Sequence, residues 1–148
     1  MAGTIGGFLI MLVLDTDHAS ELVFRSAAGL RLLERLDAAK DDVVITAVTV
    51  DEQLRGWLAE INRRKPEDQI VPYARLVHQV EILAAWHVLP WDQDAVSRFS
   101  DLKRHKIRIG TQDLKIAAIT LAHDAMLLTR NVRDFANVPG LRFENWLR

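Results

Sequence analysis

IMLVLDTDHAS, residues 10–20, sets five apolar side chains directly against two carboxylates that flank a threonine. A run this short and this apolar reads as a strand buried on both faces, over residues 10–14. Even with Phe8 and Leu9 added the run is only seven residues, too short to span a bilayer as a helix. It also lacks the positive flank and small-residue cleavage site of a signal peptide. Asp15 then stands where the strand runs out. In an open parallel sheet ligands bind just outside the carboxyl ends of the strands, so a carboxylate placed there points to function. The competing reading is mechanical: Asp15 or Asp17 caps a helix that begins near Ala19. Asp15 precedes the cap position, which favours the functional reading for it.

The rest of the chain decides which sheet that strand joins. Apolar stretches of strand length recur at 43–46, 87–89, 126–129 and, weakly, 142–143. Amphipathic periodicity predicts helices over 19–25, 27–39, 50–63, 66–85, 92–106 and 112–123. Such alternation predicts an α/β fold with a mostly parallel central sheet of about five strands flanked by helices. The 148 residues fit one domain, taken as 11–148. Residues 1–10, with three glycines, read as a leader, flexible in part, either appended in expression or read from a start upstream of Met11.

Composition narrows the chemistry. Without cysteine there is no disulfide, thiolate nucleophile or Cys-based zinc site, so any metal is held by oxygen or imidazole; a reducing, cytoplasmic setting fits. Nineteen basic against twenty acidic residues give a net charge of −1, so any nucleic-acid site is local rather than a property of the whole surface. The five histidines show no metal-ligand spacing, and the four tryptophans read as packing.

Further acids fall at the same predicted edge. TAVTVDEQLRG, residues 46–56, closes the second strand; Thr49 and Glu52 there fit a capping box. GTQDLKIAAITLAHDAMLLTRNVRDF, residues 110–135, places Asp113 in the first turn of a helix that Thr111 would cap. In the same stretch Asp134 follows a strand, with Asn131 as a candidate cap. Each acid has a structural excuse, yet Asp15, Glu52, Asp113 and Asp134 would all gather at one sheet edge. Carboxylates brought that close repel one another, and a hard divalent cation resolves the conflict. Oxygen-only ligands suit Mg²⁺, with Mn²⁺ able to substitute.

In this order VLDTDHAS, TAVTVDEQLRG and IGTQDLKIAAITLAHDAMLLTRNVRDFANVPGLRFENW resemble the PIN-domain ribonucleases, and among them the VapC toxins of bacterial toxin–antitoxin pairs. The likeness runs over residues 11–146, and both G-x-x-D-x-x-I-A and T-x-N-x-x-D-F are intact. It implies a Mg²⁺-dependent endoribonuclease whose acidic quartet is Asp15, Glu52, Asp113 and Asp134, supported by Thr129 and Asn131. Asp15 and Asp113 would be the direct metal ligands, with Glu52 and Asp134 acting through water or a second ion. Asp17 departs from the family, which commonly has asparagine there. The resemblance also implies an RNA substrate, a homodimer and a VapB-like antitoxin. No membrane is implied. Among the basic residues that could lie near this edge, which include Arg25, Arg63, Arg64, Lys65, Arg130 and Arg133, the candidate RNA contacts are Arg55 and, leading directly into the Asp113 helix, Lys106 and Arg108. Two alternatives stand beside this reading: a haloacid-dehalogenase-like phosphatase with Asp15 as nucleophile and Asp17 as general acid, and a non-catalytic interaction module whose acids only cap helices.

Overall fold

The structure, a computed structural model, describes residues 4–5 and 8–148, with side chains from residue 10 onward. The leader expected over 1–10 rests partly on residues 1–3 and 6–7, which lie outside the described residues. Its remainder is not all irregular: β1 (Thr4–Ile5) pairs antiparallel with β2 (Phe8–Leu9). The apolar run 8–14 is therefore not one strand. The Ile10 amide donates to the Asp41 carboxylate at 3.1 Å instead of to a neighbouring strand, and the main sheet begins one residue later.

That sheet has five strands in the order β5-β4-β3-β6-β7, formed by β3 (Met11–Leu14), β4 (Asp42–Thr46), β5 (Val88–Leu89), β6 (Met126–Leu128) and β7 (Arg142–Glu144). All four pairings are parallel, which matches the expected fold class. β3 is the central strand, and Leu12, Val13 and Leu14 are wholly buried because helices cover both faces. On one face Val13, Val44 and Leu127 pack on α5 (Gln93–Arg104) and α6 (Thr111–Ala122) through Ala95, Leu102, Ile116 and Ala117. On the other, Leu12, Leu14, Ile45 and Leu128 meet α1 (Thr16–Phe24) and α2 (Ala27–Ala39) through Ala19, Leu32 and Leu36, with Trp146 beside them.

The remaining helices are α3 (Ala47–Asn62), α4 (Ile70–Ala84) and the single turn α7 (Val132–Phe135). The helix expected over 66–85 is interrupted: Pro66–Asp68 form a separate 3₁₀ turn, and α4 begins at Ile70 with Pro72 in its first turn, where an amide has no intrahelical partner to lose. α1 and α3 each start three residues earlier than their apolar periodicity suggests, directly on the strands that feed them. Among the described residues no helix is long and apolar enough to cross a membrane.

From β3 the chain moves outward to β4 and β5, then returns to the other side of β3 for β6 and β7. The carboxyl ends of β3 and β6 therefore flank the point where strand order reverses, the crevice in which such sheets take ligands. There the Asp15 amide donates to the Leu128 carbonyl at 3.1 Å and the Thr129 amide to the Glu144 carbonyl at 2.9 Å. Both residues are thus fixed by sheet backbone before their side chains do anything.

Candidate active site

Asp15 is the N-cap of α1: its Oδ1 accepts from the His18 amide at 2.8 Å, and the same oxygen lies 3.2 Å from His18 Nδ1. The expectation that it precedes the cap is corrected: the buried carboxylate at the end of β3 is itself the cap. Oδ2 carries no hydrogen bond among the described residues. Asp17 does not cap either; it is exposed in the first turn of α1.

Glu52 is freed from the task its sequence suggested. Thr46, still extended as the strand ends, is the N-cap of α3 and accepts from the Thr49 amide at 3.2 Å, so Thr49 lies inside the helix and the capping box is not made. Glu52 instead accepts a 2.7 Å hydrogen bond from Thr16 Oγ1, which also sits 3.2 Å from Thr49 Oγ1. Thr111 is likewise not a cap, because α6 starts from Gly110 and that end has no side-chain cap. Asp113 stands in its first turn with the helix dipole in its favour.

Asn131 joins the last two acids. Its Nδ2 donates to Asp113 Oδ2 at 3.1 Å and to Asp134 Oδ2 at 3.0 Å, and it makes no side-chain cap on α7. Thr129 acts one step further back than expected: its buried hydroxyl accepts from the Asn131 amide at 3.0 Å, orienting Asn131 rather than a carboxylate.

Burial raises the Glu52 carboxyl above its ordinary pKa, and the charges of Asp113, Asp51 and Asp15 add to this against the lowering effect of Thr16. Burial likewise raises Asp113; the Asn131 bond opposes it, while Asp15, Asp134 and Asp17 push in the same direction. Acids from four separate segments therefore act on one another through space. Among the described residues, no three carboxylate or imidazole groups close to metal-ligand spacing. The donor chemistry nonetheless fits a hard divalent cation: the groups are all oxygen, partly desolvated, and under mutual repulsion that a positive charge would relieve.

The basic candidates differ in setting. Arg55 is bound to Asp51 at 2.6 Å, and the other Asp51 oxygen accepts from Gln112 Nε2 at 3.2 Å, next in sequence to Asp113. Lys106 and Arg108 are exposed in the segment that enters α6. Sequence reasoning missed Thr16 and His18. Thr16 carries no signal beyond its neighbours, while His18 follows Asp15 by one helical turn, the only hint that the two side chains meet.

A family model described as PIN domain matches residues 12–141. The chain is 35% identical over 130 residues to the VapC ribonuclease Y4jK of Sinorhizobium fredii, covering 84% of this chain and 90% of that one. Its fold superposes with a TM-score of 0.72 on VapBC-1 from nontypeable Haemophilus influenzae, at 22% identity over 94% of this chain and 100% of that one. It superposes with a TM-score of 0.55 on VapBC-5 from Mycobacterium tuberculosis, a member of the VapBC family of toxin-antitoxin systems, at 26% identity over 92% and 97% of the two chains. A five-stranded parallel sheet whose order reverses beside β3, in a chain matched along most of its length to these proteins, places the chain in the PIN-domain family, among the VapC ribonucleases.

Proposed function

We propose that the chain is an endoribonuclease toxin that hydrolyses RNA phosphodiester bonds with Mg²⁺ and is restrained by a VapB-like antitoxin. The observation that supports this is that Asn131 joins Asp113 and Asp134, while the charge of Asp15 bears on both Asp113 and Glu52. Asp15 and Asp113 are the residues to hold the ion directly, and Glu52 and Asp134 to act through water or at a second ion. A divalent cation so held supplies Lewis-acid charge to the scissile phosphate and lowers the pKa of an attacking water. The protein's part is to aim oxygens: Thr16 orients Glu52, Asn131 orients Asp113 and Asp134, and Thr129 orients Asn131. No covalent nucleophile is required, and PIN-family membership replaces the phosphatase alternative. Lys106, Arg108 and Arg55 are our candidates to meet phosphates of the substrate strand, Arg55 only if it leaves Asp51.

The antitoxin has a surface to occupy. A cleft of about 920 Å³ runs between α1, α3 and the start of α4, lined by Phe24, Trp57, Ile70 and Val71, and reaches Thr16 and Glu52 at its inner end. Ile70 and Phe24 are 75% and 65% exposed, an apolar face suited to an amphipathic partner segment. The reading as a homodimer rests on family membership alone.

The test is incubation of purified protein with total RNA, with Mg²⁺, Ca²⁺ or EDTA, beside Asp15→Asn. Cleavage with Mg²⁺, little with Ca²⁺, whose larger shell positions a phosphate poorly, and none in EDTA or in the variant is expected. Cleavage that survives EDTA or Asp15→Asn sinks the proposal.

A further inference from the structure

His18 is wholly buried, three residues after Asp15, and its two ring nitrogens face different parts of the fold. Nδ1 meets Asp15 Oδ1 at 3.2 Å, and Nε2 lies 3.2 Å from the backbone nitrogen of Trp146, 128 residues away. A peptide N–H only donates, so Nε2 is the acceptor and the ring proton of a neutral imidazole sits on Nδ1, aimed at Asp15. The donor is itself held: Trp146 is buried, its indole Nε1 donates to Glu144 Oε2 at 3.0 Å, and the Arg35 guanidinium lies 4.1 Å from the ring centroid. With the His18 amide also on Oδ1, that oxygen is engaged twice, while Oδ2 carries no hydrogen bond among the described residues.

We propose that His18 is a positioning residue for the cation: the tail at Trp146 fixes its tautomer, and the Nδ1 proton fixes the Asp15 carboxylate so that Oδ2 is the ligand oxygen. This rests on Asp15 being a metal ligand, the reading given above. Histidine between a metal ligand and the backbone here inverts the familiar arrangement in which a carboxylate orients a ligating histidine, but the demand is the same, one oxygen engaged so that the other is aimed.

The experiment is calorimetric titration of the full chain with MnCl₂, comparing wild type, His18→Leu, His18→Asn, Asp15→Asn and the Asp15→Asn/His18→Leu double variant. A nitrogen-15 spectrum of the wild-type imidazoles accompanies it. His18→Leu is expected to weaken Mn²⁺ binding about 10–100-fold, the usual effect of losing such a supporting bond, while the KM for RNA at saturating metal stays put. His18→Asn, whose amide places a donor near the Nδ1 position, is expected to recover much of the loss. In the Asp15→Asn background His18→Leu is expected to add nothing. Unchanged Mn²⁺ affinity in folded His18→Leu, or an equal further loss in the double variant, overturns the role. A ring protonated on Nε2 overturns it independently of any metal and of whether the leucine variant folds. A wild type that binds no Mn²⁺ while showing the Nδ1 tautomer sinks the nuclease reading itself, and the role with it, so the two failures are told apart.

Discussion

Asp113 shows how one residue serves opposing demands. Its carboxyl pKa is raised in the fold by burial and by three neighbouring acids, so ionising it costs more in the folded protein than in the unfolded chain. A raised acid binds more protons folded than unfolded, and stability in EDTA is therefore expected to fall as pH rises from about its ordinary 3.8 through the raised value, with Glu52 acting alike from 4.5 upward. Asp113→Asn is expected to make that fall shallower and to raise the unfolding midpoint in EDTA at pH 7, while RNA cleavage drops to background. A lower midpoint in the variant would mean that the helix-dipole contact outweighs the repulsion, and that the acids do not share a site. Asp15, Glu52 and Asp134 drew notice from their place after apolar strands, and Asp113 from its place in the first turn of a helix. Their local duties were not: Thr46, not Thr49, caps α3, because where the strand ends decides which threonine is first off it. Nor was the bond from His18 to Trp146 legible, since neither side chain announces a partner at the far end of the chain.

Between elements, α1 and α2 approach closely at Gly29. A Cβ built on Gly29 would lie 1.9 Å from the Glu21 carbonyl oxygen, which is backbone and yields far less readily than a side chain. Alanine is favoured over glycine in a helix by about 1 kcal/mol, but overpacking against an unyielding neighbour costs about 1–3 kcal/mol and more when backbone must move. Gly29→Ala is therefore expected to lower the unfolding midpoint by several degrees, checked by thermal denaturation followed by circular dichroism. Because α1 carries Thr16 and His18, RNA cleavage is expected to fall with it. An unchanged midpoint would show that the two helices separate freely. The helix over 27–39 and the five strands of the main sheet were readable from periodicity, because their apolar residues face a continuous core. The break at 66–70 was not, because Pro66 and Pro72 are both compatible with a first helical turn and only the packing of the segment selects the second start.

At the scale of the whole molecule, the proposed cation should be visible in stability. Mg²⁺ that binds only the folded state is expected to stabilise the wild type by about 2.7 kcal/mol at a hundredfold excess over Kd, and Asp113→Asn far less, which thermal unfolding in EDTA and in Mg²⁺ measures directly. A Mg²⁺ shift of equal size in both proteins would place the cation elsewhere. The same architecture governs the order in which the molecule is made. Central β3 pairs through Leu12 with Val43 on one side and with Met126 on the other. During synthesis that strand waits, its side chains apolar and the backbone groups of one edge unpaired, until β6 has emerged, a period in which it invites pairing with the wrong partner. Asp15 and Glu52 exist throughout that wait, whereas Asp134 follows β6. A product cut short before β6 is thus expected to lack Asp134 and to aggregate more readily than the full chain.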